Sequence, residues 1–155
     1  MIEPSFILGI IAGEGTFNVA LQERESARWN VKPTPSFAVK MDDRDSIILR
    51  SICDDVGIGR FNQSGGMASW QVQSKEETSQ LVDWIQEHEG HGFNLTSKYG
   101  SFEMWVEAVD ICGEAYKRLS RGEVLRCIEL AKRMNETDSH NDIPELEWKN
   151  KVKDV

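Results

Sequence analysis

Polar side chains able to read the edges of base pairs, interrupted only by Ala20 and Ala38, alternate with apolar ones in four short stretches of this chain. Asn18 and Gln22 alternate with Phe17, Val19 and Leu21, and Ser36 and Lys40 alternate with Phe37, Val39 and Met41. Arg60 and Asn62 flank Phe61, and Ser69, Gln71 and Gln73 flank Trp70 and Val72. Strict alternation predicts strands with one apolar and one wet face. Asn and Gln match adenine edges and Arg matches guanine, so these wet faces, extended by Arg24, form a chemically sensible groove-reading surface. The same alternation is also what any solvated antiparallel sheet shows.

Charge raises an objection, because phosphate affinity comes largely from Lys and Arg and the 155-residue chain carries a net charge of −8. The answer is local. Residues 16–41 and 60–74 hold five bases (Arg24, Arg28, Lys32, Lys40 and Arg60) against Glu23 and Glu25, a balance of +3 that leaves −11 elsewhere. The acidity lies outside the base-reading stretches.

Other candidate chemistry is thin. Cys53, Cys112 and Cys127 are odd in number, widely spaced and set in helix-like segments, which suits buried reduced thiols rather than disulfides or zinc. His88-Glu89-Gly90-His91 falls one residue short of a zinc-protease helix motif and reads as a helix end and loop. There is no phosphate-binding glycine loop, nucleophile elbow or CxxC pair. The longest apolar run, Phe6 to Ala12, is too short to span a bilayer, and the N-terminus lacks a basic start and cleavage site. An intracellular protein with no membrane partner is expected.

The elements that must position these residues follow from periodicity. Residues 5 to 13 predict a short helix, capped by Ser5, that is apolar all round and therefore buried on all sides. Gly9 and Gly13 lie four apart on one face, where another backbone could approach closely. Strands through Phe17–Leu21 and Phe37–Met41 follow, separated by a polar stretch from Glu23 to Pro35. A helix over 43–56 turns Ile47, Ile48, Ile52 and Val56 inward. A second hairpin turns at Gln63-Ser64-Gly65-Gly66, and helices are expected over 75–89, 101–113 and 121–135. The whole is an α+β fold, a twisted antiparallel sheet with helices on one face, in one domain over 1–135. Residues 136–155 form a polar, partly ordered tail that docks through Leu146 and Trp148.

On this frame, Ile7-Leu8-Gly9-Ile10-Ile11-Ala12-Gly13-Glu14-Gly15, followed by Thr16-Phe17, resembles the motif of the LAGLIDADG homing endonucleases. Leu95-Thr96-Ser97-Lys98 leading to Phe102 and Trp105, and Leu119-Ser120-Arg121-Gly122-Glu123 leading to Met134-Asn135, are similar to the same family. Three matches in order, covering roughly residues 5 to 135, make the resemblance specific.

The resemblance implies a saddle-shaped sheet and a homodimer, with two motif helices packed through Ile7, Gly9, Ile10 and Gly13 across a twofold axis. It implies that Glu14, with the Gly13 carbonyl, binds a divalent ion such as Mg²⁺ beside the scissile phosphate. Lys98 would be the basic catalytic residue. The substrate would be double-stranded DNA with a long, near-palindromic site. Two departures stand out: Ala12 replaces the first acid of the motif, and Met41 stands where relatives often carry a polar Gln, with Arg44 as a substitute for positioning water or binding DNA. The alternative is a DNA-binding regulator or intron-splicing RNA maturase descended from such a nuclease; an acidic protein-interaction module is the third class.

Overall fold

The computed structural model describes residues 1–113, 117–134 and 144–154. Asn135, His140 and the start of the expected tail lie outside the described residues. The first helix, α1 (Pro4–Glu14), begins one residue before Ser5, because proline at the first helical position gives up only an N–H that had no helical partner. It passes without a loop into β1 (Gly15–Glu23). Gly15 permits this junction: a Cβ there would lie 2.6 Å from the carbonyl oxygen of Ile11.

The second strand, β2 (Val31–Asp42), starts earlier than alternation suggested and runs through both Pro33 and Pro35. These prolines pair with Leu21 and Val19 of β1, whereas the other neighbour strand pairs only with 37–42. The first half of β2 therefore has an edge with no strand beside it, and a residue lacking N–H is tolerated there. A 3-10 turn (Asp43–Asp45) leads to α2 (Ser46–Val56), then β3 (Arg60–Ser64) and β4 (Met67–Val72). Gly65 and Gly66 both adopt positive φ and form a two-residue hairpin turn. The sheet is antiparallel throughout, in the order β1-β2-β4-β3.

Helices α3 (Lys75–His88), α4 (Lys98–Cys112) and α5 (Arg121–Met134) complete the α+β layer. Reciprocal bonds between Ser120 and Glu123 start α5. Among the described residues, no helix is long and apolar enough to cross a membrane. The three cysteines are free and buried.

Phe17, Phe37, Trp70, Phe102 and Trp105 are all buried at the centre of the core. Ring centroids are 5.1 Å apart for Phe17–Phe37 and Phe17–Trp105, and 5.4 Å for Phe17–Phe102. Trp105 also donates its indole N–H to the carbonyl of Asn18, so α4 is bolted to β1 by both apolar and polar contacts. On α2 the inward residues are Leu49, Ile52 and Cys53, whereas Ile47, expected inside, is 81% exposed. A period of 3.6 cannot seat both 47 and 49 in the core, and the position nearer the apolar stripe wins.

The tail residues described here form α6 (Glu145–Lys151), which packs on α5. Trp148 is half-buried against a small second core of Val31, Val124, Ile128 and Val152, while Leu146 stays exposed. Arg126 makes a two-pronged bond to Glu107 at 2.6 and 3.0 Å and also binds Glu129, which accepts from Lys149 of α6. Lys149 first, then Arg126, hold the Glu129 carboxyl below its ordinary pKa, and Arg126 does the same for Glu107.

Two outcomes are expected. Gly59 has φ +83, and an added Cβ would meet the Gln71 carbonyl at 2.4 Å; Gly59→Ala should lower stability by about 3 kcal/mol in urea unfolding, from positive-φ strain and backbone overlap together. Depressed carboxylates contribute stability above their unfolded pKa and lose it as pH falls through the folded value. The grip of α6 should therefore be constant from neutral pH downward until the pH passes below the ordinary glutamate value of 4.5. Hydrogen exchange of the α6 amides against pH measures this, and protection that fell at neutral pH instead would contradict it.

Candidate nucleic-acid interface

Glu14 is the last residue of α1 and is exposed. Its carboxylate sits at the negative end of a helix dipole, and α1 has no base in its last turn to offset it. Lys98 is the first residue of α4, at the positive end of another dipole, in a first turn without acids. Each charge is at the wrong end of its own helix. The fold brings the two ends together: the Lys98 ammonium donates to the carbonyl of Gly15, the residue after Glu14. Opposed charges, each unfavourable locally, mark a place where the arrangement serves something other than helix stability.

The donors here are hard oxygens, the Glu14 carboxylate and the last backbone carbonyls of α1. That chemistry fits Mg²⁺, which accepts one or two carboxylates and fills its remaining positions with water and phosphate oxygens. Gly13, the proposed carbonyl donor, is exposed beside it.

On the sheet, residues of even number in β1, β2 and β3 and of odd number in β4 face away from the helices. The register sets them in rows: Gln22 with Lys32, Asn18 with Ser36, then Thr16, Ala38, Gln71 and Arg60, then Lys40, Ser69 and Asn62. Arg60 donates to the Gln71 amide oxygen at 3.3 Å, so two expected base-readers are linked. Ser69 is on the expected face but only 8% exposed, shut in between Lys40 and Asn62; its short hydroxyl is poorly placed to reach a ligand.

Four expected contacts lie off the strands. Arg24 and Arg28 belong to the loop 24–30, and Gln73 follows the end of β4. Arg44 lies in the 3-10 turn, paired with Asp42 at 3.0 Å. Asp42 itself ends β2 on the open face, so that face is not free of acid. Alternation missed Thr16, Thr34, Ser64 and Met67, which share the open face by parity. Thr34 is hidden between two prolines, Thr16 falls at the end of the motif and Ser64 in the turn, and Met67 is apolar. Glu23 is occupied by Lys151 at 3.1 Å, which removes one of the two acids counted against the interface.

Within one chain α1 is not buried on all sides. Ile7, Leu8 and Ile11 enter the core, and Ile7, expected at a subunit interface, is 1% exposed and thus unavailable to a partner. The contacts of α1 with β2, β1 and α3 consume that face. Gly9 and Gly13 remain exposed with Ile10 half-buried between them and Phe6 49% exposed on the same side. A Cβ on either glycine would meet nothing within 4 Å, so neither glycine is needed by the chain's own packing.

Comparison with known proteins agrees with this geometry. No curated protein sequence matches the chain. The crystal structure of a homing endonuclease, I-TnaI, is 17% identical over 97% of this chain and 95% of that one, with a TM-score of 0.78. The archaeal intron-encoded homing endonuclease I-Vdi141I, complexed with DNA, is 21% identical over 96% of this chain and 92% of that one, with a TM-score of 0.81. The meganuclease I-AabMI, bound to uncleaved DNA, is 22% identical; 99% of this chain covers 51% of it, with a TM-score of 0.74. At such identities the likeness shows a shared fold. A family model described as LAGLIDADG endonuclease matches residues 7–109, a span that contains both the Glu14 helix end and Lys98. On that match, the chain belongs to the LAGLIDADG endonuclease family.

Proposed function

We propose that this protein is a site-specific double-strand DNA endonuclease that works as a homodimer with a divalent ion, Mg²⁺ or a similar cation. The observation that carries this reading is the bond from Lys98, at the start of α4, to the Gly15 carbonyl, which sets its ammonium at the end of α1 next to Glu14 in sequence. Relatives of the same fold have been crystallised with DNA, which supports the substrate. A duplex lying on the open face would be read by Asn18, Gln22, Ser36, Lys40, Arg60, Asn62, Gln71 and Gln73, with Arg24, Arg28 and Lys32 on its phosphates. A DNA substrate keeps the site of action inside the cell.

Two arguments support a homodimer. The uncovered Phe6–Gly9–Ile10–Gly13 side of α1 is apolar and small enough for close contact with a second helix. The chain also spans about half of I-AabMI, so two copies match its length, and twofold symmetry would favour a near-palindromic site. Each copy would hold the ion through Glu14 and the Gly13 carbonyl. A divalent ion bound there would neutralise phosphate charge and make a water nucleophilic. Lys98 would offer its ammonium to the charge that builds on the phosphate.

Met41 favours a second reading, a DNA-binding regulator or RNA maturase that has lost cutting. It packs against the core and brings no polar group, and Arg44 is engaged by Asp42.

Selection from a randomised duplex library with Mg²⁺ distinguishes the two. The wild type should yield cleaved sites and Glu14→Gln bound but uncut ones, while Lys98→Gln slows cutting by about 100-fold. Bound, uncut sites from the wild type would favour the second reading. For the dimer, Gly9→Leu should leave the chain folded by circular dichroism, since the position is open, yet shift sedimentation from dimer to monomer and abolish cutting. A dimer unaffected by this change would move the interface away from α1.

A further inference from the structure

At the far end of the sheet from Glu14, a cleft of about 440 Å³ runs between the β1–β2 loop, the free edge of β2 and residues 117–119 ahead of α5. Arg28, Lys32, Lys75, Lys117 and Arg118 line it together with Trp29, and no acid is among the described lining residues. Five of the 18 bases of a chain with charge −8 thus converge on one cleft. Lys117 is partly offset by Glu123 at 3.2 Å, and Lys75 donates to the Cys112 carbonyl. Glu25 is in the same loop as Arg28 but does not line the cleft.

The cleft is built in advance. Its two walls are tied by the Trp29 indole, which donates to the Leu119 carbonyl at 3.1 Å. The loop is held from below by the Lys153 amide, which donates to the Trp29 carbonyl at 3.0 Å. Within the loop, Asn30 takes φ +64 and its carbonyl accepts from the Arg24 amide at 2.7 Å. Preformed walls spare a ligand the cost of ordering them. Lys32 belongs both to the open sheet face, opposite Gln22, and to the cleft, so the two surfaces are continuous.

We propose that this cleft binds backbone phosphates of duplex DNA outside the sequence read on the sheet, which gives each chain a sequence-independent contact beyond its base-reading footprint. The inference rests on the DNA-cutting or DNA-binding reading above. An acidic protein repels DNA at long range, so its phosphate contacts have to be dense and local. Arg118, exposed just ahead of α5, serves this contact and not the sheet.

The test is fluorescence anisotropy of the full chain, in Ca²⁺ to prevent cutting, on a duplex trimmed to the selected site and on one extended by about ten base pairs, one helical turn, on each side. Scrambled flanks should tighten wild-type binding irrespective of their sequence. Arg118→Gln should lose most of that gain and Arg118→Glu all of it, with both variants matching the wild type on the trimmed duplex. The salt slope on the extended duplex should fall by about one per chain. Wild-type binding that ignores the flanks, or a flank gain that survives Arg118→Glu, would overturn the proposal while leaving the DNA reading intact. Failure of the wild type to bind either duplex would overturn both. Weaker binding of inorganic pyrophosphate by Arg118→Gln alongside an unchanged flank gain would assign the cleft to a free anion and so also overturn it.

Discussion

The packing of Phe102 and Trp105 of α4 on Phe17 of β1 is the contact on which the rest of this molecule depends. Each of these side chains is almost wholly buried, and truncating one such aromatic costs about 3–5 kcal/mol, against a net stability of about 5–15 kcal/mol for a domain. The contact also sets geometry. Lys98 is one helical turn before Phe102, and Gly15 is two residues before Phe17, so the ring packing brings the ammonium of one element to the end of another. The site is a by-product of the core: nothing between Glu14 and Lys98 has to attract them.

Charge is distributed by the same layering. The back of the helices carries a ladder of partly exposed ion pairs, Arg126 with Glu107 and Glu129, and Lys149 with Glu129 and Glu145. Such pairs are screened by solvent and contribute little each, but they keep acids occupied far from the open sheet face. Apart from Glu14, two acids close to that face are paired locally, Asp42 with Arg44 and Glu23 with Lys151. An overall charge of −8 therefore says little about the potential that a ligand on the sheet would meet.

The C-terminal helix extends this logic to the hairpin tip. Val152 fills the small core beside Val31, and the Lys153 amide bonds to Trp29. A loop that would otherwise be a seven-residue connection with no partner beneath it becomes a braced surface carrying Arg24 and Arg28. Binding groups on braced loops lose less entropy when a ligand arrives.

Much of this was legible in the sequence, for reasons that are local. The period of two in Phe17–Val19–Leu21 and Phe37–Val39 dictates which face each side chain takes, and the apolar run ending in Glu14-Gly15 dictates a short helix with a carboxylate at its end. Gly9 and Gly13 announce a side on which nothing of the chain's own packs. What only the tertiary structure decided depends on which neighbour occupies which side. Pro33 and Pro35 are admitted to β2 because β4 stops short of them. Leu49 rather than Ile47 enters the core, and Ile7 turns inward because β1, β2 and α3 claim that side of α1. Ser69 is shut in by Lys40 and Asn62, which register alone brings beside it. The pairing of Lys98 with the end of α1 spans 83 positions, and no local periodicity encodes a contact at that separation; it exists because two helices with no sequence continuity share one aromatic core.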